Sequence, residues 1–396
     1  MRRKNRLLVE TAIGLSVTLG LVGAILFALV PPTANGAHAH QLSTRAQKAA
    51  MPLRPGETVI ATGMKAPYTP KSRNTALDDY RCFIVDPGIT QDSFLTGVKF
   101  APGNLKNVHH IILFQLDAAM VAGAQAKDAT EKGPGWQCFG GPGVATTAQG
   151  SAASLVGAPW LAAWAPGGDE HIVPDGLGVP ITAGAQMIMQ VHYNLRAGKT
   201  PDVSKLELRT MPATANLKPL STRLLVSSVE IPCQPGEVGP LCDRTAAVND
   251  VAKRFGQESR LFAEGLQLIC GTQAANGGPG TTSTCDWPVM QSGVIYAAAP
   301  HMHQLGSAMK ITLNPGTARE QTVLDVPLYD FDRQSAQWLA NPVKVAPGDR
   351  FRITCSWRPE LRKMLPIFKG TEPRYVVWGE GTTDEMCLGV LSVGRN

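Results

Sequence analysis

At 396 residues, 44% of them hydrophobic, the chain is long enough to bury two domain-sized cores. Its 40 glycines and 30 prolines point to a turn-rich, mostly β protein and argue against a helical bundle. Four of the positive charges behind the net charge of +6 are Arg2, Arg3, Lys4 and Arg6, so the rest is close to neutral and carries no nucleic-acid-binding stripe.

Behind this basic start, Thr11 to Val30 runs for twenty residues without a charge. That length spans a bilayer, and the positive flank keeps the N-terminus cytoplasmic while the rest crosses. Residues 1–30 are therefore expected to be a basic stub and membrane anchor, residues 31–55 a linker, and the body exported. Ala34, Gly36, Ala37 and Ala39 leave signal cleavage, and a secreted protein, as the alternative. Export decides how the cysteines are read. Cys82, Cys138, Cys233, Cys242, Cys270, Cys285, Cys355 and Cys387 are even in number and include no CxxC, which in an oxidising compartment means disulfides. They fall into an early pair, a middle four and a late pair.

From Thr58 onward, short apolar runs alternate with turn signals: Tyr80–Val85, Ser93–Phe100, Asn107–Gln115 and, after a Gly/Ala-rich region, Ala185–Leu195. Such spacing predicts β-sandwich or jelly-roll architecture. Thr200-Pro201-Asp202 and Asn216-Leu217-Lys218-Pro219 mark a passage between two domains, 56–215 and 216–396. In the second, Val248, Val251, Phe255, Leu261, Phe262 and Leu266 recur near a helical period, predicting a helical insertion from Arg244 to Ile269. Strands follow around 321–328, 350–357 and 374–378.

Outside the linker, which holds His38 and His40, there are six histidines. His301-Met302-His303 sits between two strand-like runs, and residues two apart on an extended backbone share a face, so both imidazoles aim at one point. Taken alone, a His-x-His pair is more often surface polarity or satisfied hydrogen bonding than a metal half-site. His109 and His110, being adjacent, point to opposite faces of a regular strand and can meet only if the backbone bulges there. His192 lies in another apolar run. His171 reads as a loop residue.

Val108-His109-His110-Ile111-Ile112-Leu113-Phe114, Gln190-Val191-His192-Tyr193, His301-Met302-His303-Gln304-Leu305-Gly306 and Asp384-Glu385-Met386-Cys387 occur in that order, and Trp160–Gly167 precedes the third histidine. Together they resemble the copper type II, ascorbate-dependent monooxygenases, the family of dopamine β-monooxygenase and peptidylglycine α-hydroxylating monooxygenase. The resemblance implies an all-β fold of two tandem jelly-roll domains, with two coppers facing each other across an open cleft. It implies that His109, His110 and His192 hold an electron-transfer copper, and that His301, His303 and Met386 hold the catalytic copper that activates O2. Alone, Met386 reads as a core residue; in this company its thioether is a soft ligand suited to Cu(I). Ascorbate or a similar external reductant is the implied electron donor, and a small organic molecule the substrate. The same resemblance pairs Cys355 with Cys387 and Cys82 with Cys138, while the middle four cysteines allow three connectivities.

Two positions depart from the pattern. Peptidylglycine hydroxylases carry an Arg two residues before the His-x-His and a Tyr four residues after the methionine, which grip the peptide carboxylate. Here those positions are Ala299 and Val390. An amidating activity is therefore not expected. The competing functional reading is an exported copper-binding or electron-transfer protein without hydroxylase activity. A zinc hydrolase is disfavoured, because no carboxylate accompanies the histidines as a general base and a thioether is a poor zinc ligand.

Overall fold

The computed structural model describes residues 51–72, 77–138, 140–146, 160–165, 168 and 170–395. The expected anchor and most of the linker lie outside these residues. Among the described residues no helix is long and apolar enough to cross a membrane. The described residues belong to one compact unit.

The structure is mostly β, in sandwich-like layers. Among the described residues the sheets have nine, five, four and two strands. The five-stranded sheet is built around Val108–Leu116, which pairs antiparallel with Gln186–Asn194 on one side and Trp160–Trp164 on the other. All but one of its nine residues are buried, which is why its sequence reads as a continuous apolar run without alternation. One face packs Phe83, Leu113, Met189 and Val191 against Leu95, Val98, Leu206 and Leu208 of the nine-stranded sheet. The other face carries Phe114, Trp136, Ile188 and the Cys82–Cys138 bridge.

The second half repeats this layering. Gly293–His301 lies between Gln337–Val345 and Leu388–Gly394. The four-stranded sheet opposite contains Thr282–Pro288, Arg350–Trp357, Gly306–Leu313 and Gln321–Val326. Ile295, Met302, Leu305, Ile311, Phe351, Ile353 and Leu391 fill the space between.

The helical insertion is two helices, Arg244–Phe255 and Gln257–Gly271. The Asp243 carboxylate caps the first by accepting from Ala246 N at 2.8 Å. Gly256, with φ +99°, breaks the run, since that left-handed backbone is readily adopted by glycine alone. All eight cysteines are bridged: Cys82–Cys138, Cys233–Cys242, Cys270–Cys285 and Cys355–Cys387. The early and late pairs are those expected, and the middle four pair as neighbours in sequence. Cys270–Cys285 ties the end of the second helix to the four-stranded sheet.

Candidate metal centre

His109, His110 and His192 are all buried, and each offers a ring nitrogen within 4.8 Å of the others. What lets neighbours 109 and 110 converge is a register shift between Val108 and His110, where Val108–Leu116 pairs with Gln186–Asn194. The expected bulge is there. Beyond it His110 stands opposite His192. The His110 Nδ1 lies 3.2 Å from His109 Nδ1 and 3.4 Å from His192 Nδ1. Asp78 Oδ1 accepts from His192 Nε2 at 2.9 Å, which assigns the ring proton to Nε2 and leaves Nδ1 with its lone pair toward the other imidazoles. Tyr80 stacks flat on His192, with centroids 4.0 Å apart, and fixes the plane of its ring. Burial, followed by the neighbouring His192 and His109, holds His110 well below the ordinary histidine range, so it is neutral and able to donate a lone pair.

His301 and His303 come from the end of Gly293–His301 and the turn after it, while Met302 between them is fully buried in the core on the opposite side. His301 Nδ1 donates to Gln334 Oε1 at 2.5 Å, and His303 Nδ1 to the Asp384 carbonyl at 3.2 Å. In both rings Nε2 is then the available donor atom. Burial lowers His301 to about 4 and His303 to about 3. Met386 is buried and lines the same cavity as His110, His301 and His303.

The loop bearing Met386 is held by two buried acids. Glu385 accepts from His303 N at 2.9 Å, Leu305 N at 2.6 Å and Trp357 Nε1 at 3.1 Å. Burial nevertheless raises Glu385 to about 8. Asp384 accepts from both terminal guanidinium nitrogens of Arg254 at 2.7 Å, and from Arg374 at 3.3 Å. Burial pushes Asp384 up, but Arg254 more than offsets it and the group stays below the usual carboxylate range. Arg254 belongs to the first helix of the insertion, so the insertion grips the methionine loop.

One expectation is corrected here. The two histidine sets are not separated by an open cleft. The His110 and His301 rings lie 5.9 Å apart, and Phe331 of the second half stacks on His109 of the first at 4.6 Å and 20°. Contacts between the halves explain the closure. Tyr80 Oη donates to the Glu380 carbonyl, Thr382 Oγ1 donates to Asp78 Oδ1 at 2.8 Å, and Arg196 donates to the Pro366 carbonyl. Beside the histidines lies a cavity of about 460 Å³, walled by Ile112, Trp160, Leu224, Phe262, Trp378 and Leu388, with Gln190 and Glu380 among its polar groups. Burial raises Glu380 to about 8, so its carboxyl is mostly uncharged at neutral pH.

Residues 279–392 match the family model described as copper type II ascorbate-dependent monooxygenase, C-terminal domain. That segment is similar to the family's C-terminal domain. The matched segment of this copper monooxygenase family includes His301, His303 and Met386, whereas His109, His110 and His192 lie upstream of it. No curated protein matches the chain. Among solved structures, an allantoicase is 11% identical, covering 82% of this chain and 90% of its own, at a TM-score of 0.18. Saccharomyces cerevisiae allantoicase is 8% identical, covering 86% and 90%, at 0.19. Likenesses at that level carry no argument about fold or function.

His110, His301, His303 and Met386 line one cavity, and His109 and His192 lie against His110. His171 stands apart from them beside Trp338, at 5.8 Å. Sequence reasoning gave no role to Asp78, Tyr80, Phe331, Gln334 or Arg254. Their only signal is spatial, since Asp78 lies 114 residues from His192 and Arg254 lies 130 from Asp384.

Proposed function

We propose that this protein is an exported copper-dependent monooxygenase that hydroxylates a C–H bond of a small organic substrate, using O2 and an external reductant such as ascorbate. The observation that carries the reading is a cluster of five imidazoles, three of which line a mostly apolar cavity with the Met386 thioether, in a chain whose residues 279–392 match the family's C-terminal domain.

The residues fit copper. Three imidazoles with converging Nδ1 atoms and no carboxylate among them suit a metal that cycles between Cu(I) and Cu(II). His109, His110 and His192 would hold one copper, and His301, His303 and Met386 a second. The copper supplies one-electron redox chemistry and O2 activation. Insertion of one oxygen atom into the C–H bond reduces the other to water, consuming two electrons and two protons, with two ascorbates each giving up one electron.

The chain's own residues do the rest. Asp78 and Tyr80 hold His192, Gln334 and the Asp384 carbonyl hold His301 and His303, and Glu385 braces the turn that carries them. Trp160, Leu224, Phe262, Trp378 and Leu388 exclude water from the cavity and favour an apolar substrate. Two jelly-roll domains, and export through the N-terminal apolar run, belong to the same reading; four disulfides support the export.

Metal analysis of the purified body, followed by ascorbate-driven O2 consumption over a substrate panel, tests this. Two coppers per chain and O2 uptake stoichiometric with hydroxylated product are expected. Copper binding with O2 uptake that never couples to product would favour the electron-transfer alternative.

A further inference from the structure

One loop touches both histidine sets. Between Gln321–Val326 and Gln337–Val345, the segment from Tyr329 to Gln334 folds over the centre. Tyr329 Oη accepts from Met302 N at 2.9 Å and donates to Met302 O at 2.6 Å, pinning the residue between His301 and His303 from both sides of its backbone. Gln334 Oε1 accepts from His301 Nδ1 at 2.5 Å, and its Nε2 donates to the Phe331 carbonyl at 2.7 Å. The Phe331 ring lies against His109, and its edge approaches His303, with centroids 6.4 Å apart. The contacts run unbroken from His301 through Gln334 and Phe331 to His109, one ligand candidate from each set.

We propose that Phe331 and Gln334 are positioning residues that couple the two sets energetically, so that a metal held by His109, His110 and His192 strengthens metal binding by His301, His303 and Met386. This rests on the copper reading above. A metal on the first set locks the His109 ring in one plane, which gives Phe331 a fixed surface to stack on. A seated Phe331 fixes its own carbonyl and with it the Gln334 amide. That amide in turn selects the His301 tautomer whose Nε2 is the open donor. Each link has two states, made or broken, and coupling of this kind is reciprocal: the second set must strengthen the first by the same factor.

The loop is well suited to such a part. Phe331 and Gln334 are only half-buried and Arg333 is exposed, so the segment is anchored by these contacts more than by core packing. Truncating it should therefore leave the two sandwiches folded.

The experiment is a thermodynamic cycle in Cu(I) affinity, measured anaerobically against a colorimetric chelator, and it does not depend on hydroxylation. Affinity of the second set is measured with the first set intact and with it disabled by His192→Ala, in three backgrounds: unaltered, Phe331→Leu and Gln334→Leu. Thermal unfolding of each apo variant checks its folding. Disabling the first set is expected to weaken the second by about fivefold or more in the unaltered background. In both loop variants the loss should shrink to less than twofold. An equal loss in all three backgrounds, or no loss in the unaltered one, overturns the proposal. Phe331→Leu and Gln334→Leu break the chain at different links, so failure of one to fold leaves the other to decide. A protein that binds two coppers, shows no coupling and still hydroxylates loses this inference alone. One that shows the coupling but forms no product loses the monooxygenase reading alone.

Discussion

Glu385, in the loop that carries Met386, accepts the backbone N–H of His303 at 2.9 Å, with Leu305 N, at 2.6 Å, on its other oxygen. The residue next to Met386 thus fixes the geometry of the His-x-His turn 80 residues away in sequence. Glu385→Ala would leave these buried donors, and that of Trp357, without an acceptor. At about 1–3 kcal/mol for each such group, we expect a loss of at least 3 kcal/mol of stability. Glu385→Gln, which retains one acceptor oxygen, should recover part of it. Denaturant titration of the apo proteins measures the difference.

Met386 separates a structural role from a ligand role. Met386→Ile keeps an apolar side chain of similar volume, so stability should change by less than about 1.5 kcal/mol. Hydroxylation should nevertheless collapse. X-ray absorption of the Cu(I) protein should lose its sulfur scattering while the nitrogen shell remains. Retained sulfur scattering, or retained turnover, would return Met386 to the core.

Asp78 holds His192 through Nε2, and a carboxylate in that position orients the ring. Asp78→Asn is expected to weaken copper at the first set by about 10–100-fold. Competition titration with a Cu(I) chelator reads the change. Equal affinity in the variant would mean that Tyr80 alone fixes the ring.

How far these partners could be read from the sequence follows from their range. The period-two rule puts the two imidazoles on one face and Met302 on the other, and in the structure Met302 is buried in the core. The adjacency of His109 and His110 demanded a bulge, and the register shift supplies one. Helical periodicity found the insertion but missed its break, because Gly256 inside an amphipathic pattern looks like a tolerated interruption until its backbone conformation is known. Asp78, Phe331 and Gln334 could not be found at all. Each is an ordinary residue type on a strand or loop, and its role exists only through a contact made by tertiary folding. The open cleft expected by resemblance fails for the same reason, since closure depends on Tyr80, Asp78 and Arg196 meeting the second half.

Stability of the apo protein should depend on pH in two opposite ways. His301 and His303 fall from 6.5 to about 4 and about 3, so the unfolded chain binds protons that the folded one refuses. Their contribution is present above 6.5 and is lost as pH falls through 4, at roughly 1.4 kcal/mol per pH unit each. Asp384, held below 3.8, adds to the acid loss. Glu380 and Glu385 rise from 4.5 to about 8, so their contribution is full below 4.5 and lost as pH rises through 8. The slopes oppose each other between 4.5 and 6.5, giving a plateau with a decline on either side. Glu380→Gln should flatten the decline between 6.5 and 8 by about 1.4 kcal/mol per pH unit. An unchanged alkaline slope in that variant would mean that Glu380 is ionised in the folded protein.

The last prediction concerns which substrate the cavity accepts. Ala299 and Val390 are direct partners in the pairing of Gly293–His301 with Leu388–Gly394, and they lie two residues along from the cavity-lining His301 and Leu388. Period-two alternation places them on the same face as those two residues. An Arg and a Tyr there would together grip a carboxylate, a charge-assisted contact of high specificity. A methyl and an isopropyl group cannot. The wall nearest the histidines is mostly apolar, with Lys127, Glu131 and Gln190 among the cavity's polar groups, and Glu380, raised to about 8, is mostly uncharged at neutral pH. The cavity should therefore prefer a neutral or weakly polar small molecule over an anion. In a side-by-side assay with ascorbate, a peptide ending in glycine should give O2 uptake uncoupled from product, whereas a neutral phenethyl-type compound should couple. Glu380→Gln, which removes the titration and keeps the shape, should leave the neutral compound's KM within about twofold at pH 7. Efficient hydroxylation of the glycine peptide would overturn this account of the cavity.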